Sequence, residues 1–87
     1  MVSQKVVVKN PMGLYLKSAG ILCSEAMKFS SKITFSYEDE VANAKSILSV
    51  LGASIKSGYE IELVCEGEDE EAALKSVIAV IESGLGE

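Results

Sequence analysis

The sequence contains no histidine and no tryptophan, and all eight of its basic residues are lysine. Without histidine there can be no Ser–His or Cys–His nucleophile pair, no imidazole general base and no histidine-ligated zinc. The eight lysines stand against 13 acidic residues, which gives a net charge of −5. A protein that binds a phosphate backbone needs a basic face and usually arginine, so nucleic acid is excluded as a partner.

Long apolar runs are also missing. No run approaches the roughly 20 residues that a membrane-spanning helix needs, and the N-terminal segment lacks the apolar core of a signal peptide. We therefore expect a cytoplasmic protein with no membrane partner.

Cysteine is scarce as well, with only Cys23 and Cys65 in the chain and no C-x-x-C motif. Both fall in apolar stripes of predicted secondary structure. This placement favours buried, reduced thiols over a disulfide, a metal site or a nucleophile.

Apolar periodicity predicts seven elements in the order βαββαβα. Alternating or β-branched stretches predict four strands, at residues 3–9, 32–37, 41–44 and 59–66. Three- and four-residue spacing predicts a first helix from Tyr15, a short second helix at 46–52 and a long third helix that opens at 67–71, with its acidic residues in the first turn. The acidic residues 38–40 read as a solvated turn.

The predicted helices each have one apolar face, and the strands have one apolar side. The first helix is expected to bury Ala19, Leu22, Cys23, Ala26 and Met27, and the third to bury Leu74, Val77, Ile78 and Ile81. The 87 residues contain no linker or repeat, so we predict a single domain over 1–87. The fold class is α+β, an antiparallel sheet with the helices on one face.

Four stretches of this chain carry a family resemblance. They are Lys-Asn-Pro-Met-Gly-Leu at 9–14, Asn-Ala-Lys-Ser-Ile-Leu at 43–48, Gly-Glu-Asp-Glu-Glu-Ala-Ala-Leu at 67–74 and Glu-Ser-Gly-Leu-Gly-Glu at 82–87. Together they resemble the HPr family, the small phosphocarrier proteins of the bacterial sugar phosphotransferase system. The resemblance implies an open-faced sandwich of four antiparallel strands under three helices.

The residues after the first Gly-Leu depart from the family pattern. Where HPr proteins have His-Ala-Arg-Pro-Ala, this chain has Tyr15, Leu16, Lys17, Ser18 and Ala19. The family's histidine takes a phosphoryl group from enzyme I and passes it to an enzyme II component. A tyrosine with a pKa near 10 is only about one part in a thousand phenolate at pH 7. Its phosphate ester would also be too stable to pass on. We therefore predict a divergent member in which Tyr15 occupies the phosphohistidine position, with no catalytic residue and no enzyme activity.

Two neighbours of Tyr15 are candidate contacts for an anion or a partner. Lys17 retains the charge of the family's arginine without its bidentate fork, and Ser18 replaces the proline. A lysine near a helix N-terminus can attract an anion. The alternative is an ordinary surface lysine beside a partly exposed tyrosine.

Ser46 matches the serine that HPr kinase phosphorylates in many Gram-positive bacteria, after which the family's protein acts with the catabolite control repressor. As a helix N-cap, this serine would contribute about 1 kcal/mol. A phosphate there adds roughly −1.5 to −2 charges where the helix dipole is positive. The apolar Ile47, Leu48 and Leu51 would lie beside that charge as a docking surface. The alternative is that Ser46 only caps the helix.

The function predicted from the sequence is a regulatory or adaptor module switched by phosphorylation at Ser46. Its expected partners are proteins: HPr kinase, the catabolite control repressor, and enzyme I or enzyme II components. We expect no cofactor, no metal, and a monomer or weak dimer. Two alternatives stay open, namely a phosphocarrier that transfers phosphate at or near position 15 and a paralogue that binds a partner constitutively without phosphorylation.

Overall fold

A computed structural model describes residues 1–87. Its four strands are β1 (Val2–Val7), β2 (Lys32–Tyr37), β3 (Glu40–Asn43) and β4 (Glu60–Glu66), and its three helices are α1 (Leu16–Ala26), α2 (Ile47–Gly52) and α3 (Glu70–Glu82). The predicted order βαββαβα is confirmed. β2 has the predicted bounds, whereas the other elements begin or end one or more residues away.

The strands form one antiparallel sheet in the order β1-β4-β2-β3. Strand β4 lies in the interior of the sheet and shows the expected alternation, with Ile61, Leu63 and Cys65 buried. Ile61 is paired with Val6 of β1, and Leu63 with Phe35 of β2, so the apolar side chains of neighbouring strands meet on one face. The helices cover that face, which confirms the α+β open-faced sandwich.

Two residues predicted to be buried are not. Met27 is 63% exposed because α1 ends at Ala26 and Met27 lies beyond the last turn as its C-cap. Leu74 is only half-buried, and it lies in a groove beside Val2 and Gln4 of β1. Because β1 is an edge strand, no further strand covers this side of Leu74. Ala73, which the pattern did not single out, is fully buried.

Cys23 and Cys65 are both buried and unpaired, as predicted. Burial raises the pKa of the Cys65 thiol, and the nearby carboxylates of Glu70 and Asp69 raise it further. A thiol with a raised pKa is a poor nucleophile. Both cysteines therefore act as small core side chains.

None of the three helices combines the length and the apolar character needed to cross a membrane.

Candidate functional site

The loop before α1 is built on Gly13. Its φ of +68° lies in the left-handed region, and a Cβ at this position would come within 2.5 Å of the Ile55 carbonyl oxygen. The neighbouring Leu14 N–H donates to that same oxygen at 2.9 Å. Only glycine fits so close a backbone crossing, which holds the start of α1 against the segment that follows α2.

Tyr15 is the N-cap residue of α1, and Ser18 fixes its backbone. The Tyr15 N–H donates to Ser18 Oγ at 3.0 Å, and that hydroxyl donates to the Gly13 carbonyl oxygen at 2.7 Å. The bond from the N-cap N–H to the side chain of residue N3 is one of the two hydrogen bonds of a capping box. Ser18 is 0% exposed, so the prediction that it contacts an anion or a partner is wrong. Its hydroxyl is already used inside the protein to hold the helix start.

The Tyr15 phenol is half-buried. Partial burial raises its pKa above the ordinary value of 10, and the neighbouring Glu87 carboxylate raises it further. Phenolate at neutral pH is therefore rarer than for a free tyrosine. This environment opposes nucleophilic attack by Tyr15 on a phosphoryl donor.

The C-terminal segment lies against the start of α1. Leu85 is fully buried, and the exposed Lys17 donates to the Gly86 carbonyl oxygen at 3.4 Å. Asn10, which is 2% exposed, donates from Nδ2 to Glu87 Oε2 at 3.0 Å. Lys17 has no carboxylate partner, so its charge remains available to an anion.

Ser46 is the N-cap of α2, as predicted. Its backbone is extended, and its Oγ accepts the Ser49 N–H at 3.2 Å. The hydroxyl donates to no acceptor in the protein, and the residue is half-buried. One hydrogen bond therefore orients the Ser46 oxygen, and its proton has no acceptor within the protein.

The residues after Ser46 form an apolar surface, which we call the α2 surface and define as Ile47, Leu48 and Leu51. Leu48 is 83% exposed and Ile47 is 39% exposed, while Leu51 is half-buried. Exposed leucine and isoleucine beside each other are typical of a protein contact.

Two further residues, Ser49 and Lys45, hold α2 against its neighbours, and the sequence pattern did not predict this role. Ser49 Oγ accepts the Asn43 N–H at 2.9 Å, which joins the end of β3 to α2. Lys45 donates from Nζ to the Phe29 carbonyl oxygen at 2.6 Å and thereby reaches past the end of α1. The one signal for Ser49 in the sequence was its position three residues after the N-cap serine. Its hydrogen-bond partner, the Asn43 N–H in β3, is evident only in the folded chain.

The predicted site residues fall into two groups. Tyr15 and Lys17 lie at the start of α1 beside the C-terminal segment, whereas Ser46 and the α2 surface lie on α2. Helices α1 and α2 are in contact, so the two groups occupy neighbouring parts of the helical layer.

Comparisons with known proteins agree on one family. The family model described as "PTS HPr component phosphorylation site" matches residues 2–83. The solved structure of HPr-C-His from Thermoanaerobacter tengcongensis superposes with a TM-score of 0.96 at 36% identity, covering 100% of this chain and 98% of that one.

Three curated relatives differ in their length and description. The HPr-like protein Crh of Halalkalibacterium halodurans is 39% identical over 82 residues, 94% of this chain and 98% of that protein. The phosphocarrier protein HPr of Lysinibacillus sphaericus is 36% identical in an alignment of 88 positions that covers the full length of both proteins. The multiphosphoryl transfer protein of Vibrio cholerae is 39% identical over 92% of this chain, which spans only 21% of that protein's length. The chain belongs to the HPr family of the phosphotransferase system.

Proposed function

We propose that this protein is an HPr-like regulatory or adaptor module that is switched by phosphorylation at Ser46 and carries no phosphate on histidine. The observation that carries the proposal is the Ser46 hydroxyl, which accepts the Ser49 N–H and donates to no other group of the protein, beside the exposed Leu48. The absence of histidine from the sequence removes the family's usual phosphoryl acceptor.

Phosphorylation at this position is compatible with the fold. The Ser46 oxygen already accepts the Ser49 N–H in the first turn of α2. A phosphate adds roughly −1.5 to −2 charges at pH 7 and accepts hydrogen bonds from such groups. The modification would therefore leave α2 folded and change only the charge beside the α2 surface.

The partner surface combines the α2 surface with Lys17. Leucine and isoleucine provide apolar contact area, and the new phosphate provides a charge that a partner can read. Lys17 offers a cation to an acidic group or a phosphate on the partner. The partners proposed from the family are HPr kinase, the catabolite control repressor, and enzyme I or enzyme II components, in the cytoplasm.

Two observations on relatives support the regulatory function. The HPr-like protein Crh of Bacillus subtilis has been described as a catabolite repression protein and has been solved as a dimer. Crh proteins match nearly the whole of this chain. We extend to this chain a function in catabolite regulation and a monomer or weak dimer as its oligomeric state.

A phosphocarrier function is the second candidate. It is favoured by the family model, whose description names a phosphorylation site, and by the full-length match to a phosphocarrier HPr. The acceptor would then be Tyr15 or a neighbour. The raised pKa of the Tyr15 phenol opposes this transfer.

Intact-mass spectrometry after two parallel incubations tests the proposal. One tube contains ATP and HPr kinase, and the other contains phosphoenolpyruvate and enzyme I. We expect one phosphoryl group in the first tube only, lost in Ser46→Ala and retained in the control Ser57→Ala, which changes an exposed loop serine.

The other outcomes are equally informative. Label that persists in Ser46→Ala would contradict the assignment of the switch. Label in the second tube would establish the phosphocarrier function. No label in either tube would favour a paralogue that binds its partner constitutively.

A further inference from the structure

A cavity of about 430 Å³ lies away from both groups of site residues. It is lined by the β2–β3 hairpin on one side and by Gly52, Ala53 and Ser54, where α2 ends, on the other, and it opens to solvent. Phe35 and Ala42 of the core lie among its lining residues. The cavity thus lies near the opposite end of α2 from Ser46.

The distinctive lining of this cavity is a pair of tyrosines. The rings of Tyr37 and Tyr59 are stacked with centroids 4.4 Å apart and planes 10° from parallel. Both side chains are half-buried and line the cavity. Each ring covers one face of the other, so a cation can stack only on an outer face, whose partial negative charge attracts it.

Three carboxylates, from Glu38, Asp39 and Glu40, surround the same opening. None of them forms a salt bridge, and no lysine lines the cavity. The pKa of Tyr37 is raised by partial burial and then by Glu38, which is consistent with a locally negative potential. The carboxylates alone would be a solvated turn. Beside a stacked aromatic pair and a cavity, they complement a bound positive charge.

We propose that this cavity binds the arginine side chain of a partner protein. A guanidinium is planar, stacks on tyrosine and is more weakly hydrated than an ammonium, so it matches a site with both aromatic and acidic walls better than lysine does. Because this chain contains no arginine, a second copy cannot supply the group.

This inference is independent of Ser46 phosphorylation, because none of its residues takes part in the switch. A partner whose arginine enters this cavity would gain a contact in addition to the α2 surface. The arginine would act as an anchor, the residue type that often dominates interface energetics.

The test is NMR titration of the ¹⁵N-labelled protein with acetyl-Gly-Arg-Gly-amide at low ionic strength. The matched probe contains citrulline, which has nearly the same shape without the charge. We expect shift changes concentrated at residues 37–40, 52–54 and 59, with binding of the arginine peptide about fivefold or more tighter than that of the citrulline peptide.

Two triple variants separate the site from the overall negative charge. Changing Glu38, Asp39 and Glu40 to their amides should weaken binding about fivefold or more. Changing the exposed Glu68, Glu71 and Glu82 to glutamine removes the same number of negative charges on and beside α3. This variant should bind the arginine peptide with an affinity within about twofold of the wild type. Thermal unfolding confirms that both variants are folded.

Four results would overturn the proposal. The first three are equal weakening by both triple variants, equal binding of the two peptides, and shift changes that fall outside the cavity. Tighter binding of spermidine than of the arginine peptide would also overturn it, because the cavity would then be assigned to a small polyamine instead of a protein side chain.

Discussion

The Asp69 carboxylate binds Ser31 through two hydrogen bonds, one from the Ser31 N–H at 2.9 Å and one from its hydroxyl. The Ser30 N–H donates to the other carboxylate oxygen at 2.9 Å. These bonds join the beginning of α3 to the connection between α1 and β2. Asp69 therefore acts across the fold, in addition to its place as the N-cap residue of α3.

These hydrogen bonds predict acid-sensitive stability. They lower the pKa of Asp69 from 3.8 to about 2, with the Ser31 hydroxyl as the largest cause. A folded-state pKa below the unfolded one stabilises the protein above about pH 4, and this stabilisation is lost as the pH falls from about 4 towards 2. Thermal unfolding should therefore show a smaller drop in Tm over this range for Asp69→Asn than for the wild type.

The control for Asp69 is Glu71→Gln, which changes an exposed carboxylate in the first turn of the same helix. It should keep the acid dependence of the wild type. If Asp69→Asn also kept it, the hydrogen bonds to Ser30 and Ser31 would not be the source of the dependence.

Gly13→Ala should destabilise the protein by roughly 1–3 kcal/mol, because a left-handed φ and a contact with the Ile55 carbonyl oxygen at 2.5 Å must both be relieved. Gly20→Ala is the matched control. Gly20 lies inside α1, and a Cβ added there would meet no atom within 4 Å, so alanine should stabilise by about 0.5–1 kcal/mol. Urea unfolding measures both. Equal effects of the two changes would contradict the close approach.

Ser18→Ala should cost about 1–2 kcal/mol, because the buried hydroxyl accepts the Tyr15 N–H and donates to Gly13. Ser24→Ala, in the exposed part of the same helix, should change the free energy of unfolding by less than about 0.5 kcal/mol. Chemical denaturation gives both values. A negligible effect of Ser18→Ala would mean that the start of α1 does not depend on this bond.

Ser46→Ala should cost about 1 kcal/mol, because the Ser49 N–H loses its acceptor at the start of α2. Ser46→Asp restores an acceptor with a charge and should recover most of that stability. Urea unfolding of the three proteins checks the order. An aspartate variant less stable than the alanine variant would argue against accommodation of a phosphate at this position.

Local features of the site were predictable because they depend on neighbours in the chain. The Ser46 cap follows from a serine that precedes a short apolar helical stretch, and its acceptor bond reaches only to Ser49. The alternation along β4 likewise located Ile61, Leu63 and Cys65 on the buried face. Such patterns need no knowledge of distant residues.

Ser18 shows where this reasoning stops. As a neighbour of Tyr15 it was predicted to contact an anion or a partner, but it is buried, and its hydroxyl donates to the Gly13 carbonyl oxygen where the backbone crosses Ile55. That crossing joins segments that lie far apart in the sequence. The spacing of apolar residues in the sequence does not predict this crossing.

The sequence by itself determined the order of the elements, the apolar faces, the serine cap and the absence of histidine, because these depend on composition and short-range spacing. Only the tertiary structure decided which distant side chains meet: Asp69 with Ser31, and Tyr37 with Tyr59. The reason is physical. Hydrogen bonds and ring stacking require specific distances and orientations, and for residues far apart in sequence those are set by how the sheet and helices pack.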